Sequence, residues 1–316
     1  MKNQPKSATE ETRPHLVSET EYAFLAEGYR DLLPVPATLE PRMRRALLDT
    51  LDAPGSLARA QLAFGLLAPG RGGPFAAREL AIALEYFHTA SLLLDDLPCM
   101  DNARERRGRL CPHVVHGEAP TILAALALIT QAYGLLWHAL SPLPARRRLR
   151  ASALVQECLG VAGILEGQAR DLAFASGPGD ADEVARVARG KTVTLIRLTL
   201  ILPALVAGAT APALRQLEEL AESWGLAYQI LDDFKDCLYD PAESGKTAQR
   251  DALLGRPNLV VASGIATAAL DLRRHLVSAR AALDHLGTLR VSALDRLQAL
   301  LEHQAARVNE RLAATA

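Results

Sequence analysis

The chain has 316 residues, with 35 Lys+Arg against 36 Asp+Glu, a net charge of −1, 49 % hydrophobic residues and 4 % aromatic ones. This apolar content at so little net charge excludes a disordered chain, and without a net positive field nucleic acid is not an expected partner. Four scattered cysteines exclude a disulfide-stapled scaffold. Only five of the basic residues are lysines, namely Lys2, Lys6, Lys191, Lys235 and Lys246. The three beyond the N-terminal tail therefore ask for a reason, since Lys and Arg are not interchangeable.

Residues 1–18 read as a polar tail without the apolar stretch of a signal peptide. Residues 19–316 read as one all-α domain: strand signals are nearly absent, Asn-Gly and Asp-Gly turns do not occur, and apolar positions recur every three or four residues. Pro34-Val-Pro36, Pro54-Gly55, Pro69 to Pro74, Pro142-Leu-Pro144, Gly177-Pro-Gly179 and Pro257 divide it into roughly ten helical segments. The uncharged run Ala119 to Leu140 is long enough to cross a bilayer, but Thr121, Thr130, Gln131 and His138 and the lack of flanking basic clusters favour a buried core helix. The run Thr192 to Ala209, broken by Arg197 and Pro203, reads the same way. The expectation is a soluble, cytoplasmic protein that does not span a membrane.

Two acidic clusters carry the chemistry. Asp95-Asp96-Leu-Pro98-Cys-Met-Asp101 closes the apolar segment Glu79 to Leu94, and Asp232-Asp233-Phe-Lys235-Asp236 lies in the helix that begins near Ala211. Adjacent acids at the end of an apolar helix repel each other and resist desolvation unless a cation neutralises them. Hard oxygen donors suit Mg²⁺, which completes its shell with water and phosphate. At 100° per residue Asp232 and Asp236 share a helical face with Gln229, and Pro98 provides the break that lets Asp95 and Asp101 meet. Arg104, Arg106, Arg107 and Arg109 follow the first cluster, and Lys246, Arg250 and Arg256 the second. Together they describe a pocket for phosphoryl oxygens.

These motifs resemble those of the trans-polyprenyl diphosphate synthases, the farnesyl and geranylgeranyl diphosphate synthase family. The stretch from His88 to Asp101 with Arg106-Arg107-Gly108 is similar to the family's first aspartate-rich motif, and Gly225 to Asp236 to its second. Gly167-Gln168-Ala-Arg-Asp171 and Gly190-Lys191-Thr192 match two further signatures, and the likeness runs from about Ala37 to the C-terminus. The resemblance implies a helical bundle of the isoprenoid synthase type around a central apolar cavity. It implies that Asp95, Asp96, Asp101 and Asp232 hold three Mg²⁺ on an allylic diphosphate, with Asp171 and Gln168 beside them and Asp236 in support. Arg106, Lys191 and Lys246 would grip that diphosphate. His88, Arg107 and Arg59 would grip isopentenyl diphosphate, and Lys191, Thr192 and Gln229 would face the allylic cation. A homodimer is the family's usual state.

In this resemblance, product length depends on the residue five before the first aspartate. Here that is Ala90, beside Ser91, and a small side chain leaves the tunnel open toward a C20 product, with Phe87 as a floor one turn deeper. The alternative is that Ala90 merely packs against a neighbouring helix and the product is C15. The chain also departs from the family. Where a Gly-Lys-Arg-Leu-Arg-Pro stretch is usual, Gly55-Ser56-Leu57-Ala58-Arg59 stands, with Arg71 as a substitute cation. Leu94 replaces a usual His, and Ala125-Leu126 a usual Gly-Asp, and both changes are expected to make the interior more apolar. A weakened acceptor site keeps open a class I terpene synthase-like enzyme, and a third reading is a non-catalytic partner subunit.

Overall fold

The computed structural model describes residues 15–67, 73–174, 181–238 and 256–315. These form helices α1 (Glu19–Asp31), α2 (Pro41–Leu51), α3 (Ala58–Leu67), α4 (Gly73–Asp95), α5 (Pro112–His116), α6 (Glu118–Leu140), α7 (Ala145–Leu159), α8 (Ile164–Ala173), α9 (Ala181–Ala188), α10 (Thr194–Ala207), α11 (Ala211–Leu238), α12 (Leu259–Ser263), α13 (Ile265–Asp284) and α14 (Ser292–Thr315). A π-helical turn, Arg189–Val193, joins α9 to α10.

Local chemistry sets several of the ends. Ser18 and Glu21 form a reciprocal capping box at α1. Glu40 accepts from the N–H groups of Arg42 and Met43 while Pro41 opens α2. Gly208, in the left-handed region at φ 89°, stops α10. The tail ends earlier than its polarity suggests. Leu16 and Val17 are buried, and both of their N–H groups donate to the Gln61 side chain, so the chain is tied to α3 before α1 begins.

α4 packs between α3 and α6, and α11 packs against α10 and α13, with α10 also touching α3 and α7. The buried side chains of these helices, from Leu80 to Ala90 on α4 and from Leu217 to Phe234 on α11, make one continuous apolar core. Burying each large apolar side chain contributes about 1.5–3 kcal/mol.

The helix α6 is not buried all round. Ala124, Ala125, Leu128 and Ala132 are buried, while Ile122, Leu123, Leu126 and Trp137 are exposed on the opposite side, and partly exposed Tyr133 lies at the edge, against Phe87 of α4. The sequence run is apolar on both faces, so composition could not separate a central helix from one with an outer apolar stripe. Leu126 therefore does not make the interior more apolar; it lies on this outer face at 50 % exposure.

Between α4 and α5 the chain makes one small hairpin, Glu105–Arg106 against Arg109–Leu110. Its central residues Arg107 and Gly108 both have positive φ, 54° and 71°, the pattern of a tight hairpin turn. The dipeptide scan missed it because Arg, not Asn or Asp, occupies the first left-handed position.

Candidate active site

The first acidic cluster sits where α4 ends. α4 stops at Asp95, and the chain folds back so that the N–H of Asp101 donates to the Asp95 carbonyl at 2.9 Å and that of Ala103 to the Asp96 carbonyl at 3.0 Å. The expected break at Pro98 thus brings Asp95 and Asp101 together. Burial pushes the Asp95 carboxyl up to about 6; Lys191 opposes the rise, and Asp101 and Asp171 add to it. Burial leaves the Asp95 carboxyl poorly solvated even with Lys191 and Arg106 beside it, a setting that suits a hard divalent cation. Among the described residues no three acidic or His/Cys side chains are already gathered at ligand distance, so ion and diphosphate would have to complete the geometry together.

Asp96 behaves differently from its neighbour. It is 2 % exposed, and Arg106 holds it through Nε at 3.0 and 2.9 Å and Nη2 at 2.7 Å. This bidentate pair folds the hairpin back onto the end of α4. It engages a residue expected on metal and one expected on diphosphate with each other.

Across the pocket, α8 and the π-helical turn approach through two glycines. A Cβ on Gly167 would stand 2.3 Å from the Gly190 carbonyl carbon and 2.4 Å from the Lys191 nitrogen, so neither backbone tolerates a side chain there. That contact lays Lys191 over Asp171, with Nζ 2.8 Å from Oδ2. Burial pulls the Lys191 ammonium down, but Asp95, Asp171 and Asp101 together outweigh it and hold it above its usual range. The next residue, Thr192, donates to Gln229 Oε1 at 2.8 Å, which joins the π-helical turn to α11.

On α11 the acids divide. Asp233 is 1 % exposed and turned inward, where it accepts from Gln229 Nε2 at 2.8 Å and from the Leu259 N–H at 2.6 Å. Burial pushes it up to about 7 despite both hydrogen bonds. Gln229, expected beside Asp232 and Asp236, thus bonds instead to the buried acid four residues on. Asp232 and Asp236 stay half-buried on the adjoining face of the helix. Lys235 donates to Gln304 of α14 at 3.3 Å. Lys246, Arg250 and Arg71 lie outside the described residues.

A second group of cations gathers farther back on α4. Gly55, at φ 68°, is covered by Arg107, whose Nη1 stands 1.9 Å from where a Cβ would be. Burial holds the Arg59 guanidinium below its usual range. His88 is held well below its usual range by burial and then by Arg59, Arg107 and Arg106, so it is a neutral imidazole among three cations. Leu57, in the position of a usual family arginine, is fully buried at φ 50° and faces the core. Ser56 contributes its carbonyl to Gln61 Nε2 at 2.7 Å.

One residue of the site, Glu85, escaped the sequence reading, and Arg256 was expected only as a cation after the second acidic cluster, with no partner assigned. Glu85, 4 % exposed, accepts from the Ala60 N–H at 2.9 Å and is the carboxylate that faces Arg59; burial raises its pKa and Arg59 opposes that rise. A lone acid in the apolar run Leu80 to Phe87, three residues before His88, was the available signal. Arg256 reaches Asp101 Oδ1 at 2.9 Å, the Met100 carbonyl at 3.0 Å and the Asp171 carbonyl at 2.8 Å. Its place after the second acidic cluster marks it as a cation of the site, but its partners, 85 and 155 residues away, are not legible locally. Arg59 Nε, Gln168 Nε2 and Arg256 Nε are buried without an acceptor. Such donors are costly unless an oxygen-rich ligand meets them.

Deeper along α4, Ala90 is fully buried, Ser91 donates to the His88 carbonyl at 2.9 Å, and the Phe87 ring meets Tyr133 edge-on at 5.0 Å.

The site thus gathers acids and cations at one end of the central helices of an all-α bundle. The sequence profile of the Polyprenyl synthetase family matches residues 40–284, and the chain belongs to that family. It is 40 % identical over 202 residues to a geranylgeranyl diphosphate synthase of Pseudescherichia vulneris, covering 64 % of each chain. It is 38 % identical over 221 residues to the farnesyl diphosphate synthase of Escherichia coli, covering 69 % of this chain and 74 % of that one. The chain thus spans slightly under two thirds of the first of these relatives. Among solved structures it resembles a geranyltransferase of Helicobacter pylori complexed with magnesium and isoprenyl diphosphate, at a TM-score of 0.78 and 25 % identity over 94 % of this chain and 99 % of that one.

Proposed function

We propose that this chain is a Mg²⁺-dependent trans-prenyltransferase that condenses isopentenyl diphosphate with an allylic diphosphate (dimethylallyl, geranyl or farnesyl), with geranylgeranyl diphosphate as its product. The observation that carries the reading is the return of Asp101 onto Asp95 at the end of α4, with Arg256 tying Asp101 to the end of α8, where Lys191 pairs with Asp171, and with the buried unpaired donors Gln168 Nε2 and Arg256 Nε. The relatives and the magnesium-bound neighbour support it.

Asp95, Asp96, Asp101, Asp171, Asp232 and Asp236 are the residues to hold up to three Mg²⁺. When bound, the ions supply charge that stabilises a departing pyrophosphate. Lys191 and Arg106, with Lys246 as a further ligand, would clamp the same group, so that negative charge develops against cations. Arg59, which faces Glu85, and Arg107 hold the diphosphate of isopentenyl diphosphate together with neutral His88. The Thr192 hydroxyl and the Gln229 amide turn their dipoles toward the allylic carbon as it becomes cationic. The isopentenyl double bond attacks that carbon, and the proton lost from the adduct passes to pyrophosphate. The apolar walls of α4 and α11 keep water from the cation. Ala90 leaves room for a C20 chain.

The exposed stripe of α6, from Ile122 to Trp137, supports a homodimer, since apolar patches of this kind are normally covered. α6 is long and apolar enough to cross a membrane by length and composition, but the dimer reading covers the same surface and keeps the protein in the cytoplasm. The oligomeric state from light scattering decides between a dimer and a monomer.

Incubation with Mg²⁺, isopentenyl diphosphate and C5, C10 or C15 allylic primers, with products resolved by length, tests the activity. Elongation is expected, with C20 as the end point. A second reading rests on Ser56 and Leu57, which leave the acceptor site two cations short of the family pattern. Release of a hydrocarbon or alcohol from one prenyl diphosphate, without elongation, would establish a terpene synthase-like enzyme instead. Neither activity would indicate a silent subunit.

A further inference from the structure

We propose that Arg256 is a positioning residue: a fixed guanidinium brace that holds the Asp95–Asp101 loop against the end of α8 and orients Asp101 for a cation. The proposal rests on the reading of this pocket as the metal–diphosphate centre, to which it adds how the metal-free chain keeps its first acidic motif in shape.

The loop from Asp96 to Asp101 has no helix or strand of its own. Its own turn bonds and the Arg106–Asp96 pair close it on itself, and Arg256 ties it across to α8. Its Nη2 donates to both the Met100 carbonyl and Asp101 Oδ1, and its Nη1 donates to the Asp171 carbonyl. Two of these three acceptors are backbone carbonyls, which keep their charge and place whether or not a metal is present. The third bond takes one oxygen of Asp101 and leaves Oδ2 for a ligand. The side chain is 10 % exposed and so is not free to swing out.

The base of Arg256 is also held. Two residues on, the Asn258 side chain caps α12 by accepting from the Val261 N–H at 2.9 Å. Buried Asp233 accepts from the Leu259 N–H, and Gln229 links Asp233 to Thr192. One chain of bonds therefore runs from the π-helical turn through α11 to Arg256, and from there to the first acidic motif. A planar fork is needed for this. The three acceptors belong to two elements, and a single ammonium cannot address them all at the required angles.

The test uses the full-length protein, R256Q and R256K. In the metal-free state, amides of Leu97 to Ala103 in R256Q should exchange about tenfold faster than in the unchanged protein, while amides of α11 and the melting temperature hold. In calorimetric titrations with inorganic pyrophosphate, half-saturating Mg²⁺ should rise about tenfold in R256Q and less in R256K. The KM for isopentenyl diphosphate should stay within about twofold, because Arg59, Arg107 and His88 are untouched. Unchanged exchange in the loop overturns the brace. So does tighter Mg²⁺ binding in R256Q, which would mean that Arg256 competes with the ion for Asp101. Failure of the unchanged protein to bind Mg²⁺ with pyrophosphate would overturn the reading of the centre instead, and the exchange measurement would still decide the brace.

Discussion

The N–H of Asp101 donates to the carbonyl of Asp95 across 2.9 Å, closing a loop that sets two carboxylates of the first motif side by side at the end of α4. The local break comes from Pro98, and the return is completed by contacts from Arg106 and Arg256. The cost of this arrangement is visible in Asp95, whose carboxyl is pushed up to about 6 chiefly by burial.

That shift has a sign that can be measured. An acid raised from 3.8 to about 6 by folding contributes stability that is full below pH 3.8 and lost as the pH climbs through 6. Asp95→Asn removes this loss. At pH 8 the metal-free variant should resist urea better than the unchanged protein, by at most about 3 kcal/mol. Its kcat/KM should nevertheless fall by about 10²–10³. Equal or lower stability with activity retained would contradict both halves.

Asp233 gives a second pH signature, over a wider window. Its carboxyl rises from 3.8 to about 7, so its contribution is full below pH 3.8 and lost between there and pH 7. In Asp233→Asn, the fall of metal-free unfolding free energy between about pH 4 and 7 should flatten. Above about pH 7 the variant offers the Leu259 N–H a neutral amide oxygen in place of a charged acceptor, a loss of about 1 kcal/mol. Denaturant titrations at several pH values check the slope.

Ser56 lies on the loop that carries Gly55, under the reach of Arg107. Ser56→Lys restores a cation to the acceptor side without removing the Ser56 carbonyl bond to Gln61. The KM for isopentenyl diphosphate should fall about tenfold, as one charge-assisted hydrogen bond allows. The KM for the allylic primer should hold. Steady-state kinetics with each substrate varied in turn would show the asymmetry.

Ala90 is fully buried on α4, one turn from the Phe87–Tyr133 ring pair. Ala90→Tyr should shift the main product from C20 to C15, read by chromatography of the dephosphorylated prenols. The added ring also overpacks the site, so the melting temperature should drop by the equivalent of about 1–3 kcal/mol. A stable variant that still makes C20 would show that Ala90 does not line the tunnel.

Much of the helical architecture was legible because periodicity and breakers are local. The start of α1 at Glu19 and the end of α10 at Ala207 follow from a capping box and a glycine within a few residues. The acidic motifs were legible for the same reason: Asp95, Asp101 and Asp232 stand out against apolar helices. The α6 stripe was not legible, because an apolar residue such as Leu126 looks the same whether it meets α4 or the outside.

By itself the sequence determined the all-α class, the two aspartate-rich motifs and the scarcity of lysine that singles out Lys191. Each is a property of residue type and spacing. Only the tertiary structure decided which charge meets which: Arg106 with Asp96, Lys191 with Asp171, Arg256 with Asp101, and Asp233 turned inward to the start of α12. The physical reason is range. A helical period is set by hydrogen bonds four residues apart. The partner of a buried charge is set by burial and by packing between elements far apart in the chain, which make an unpaired charge costly wherever it lands.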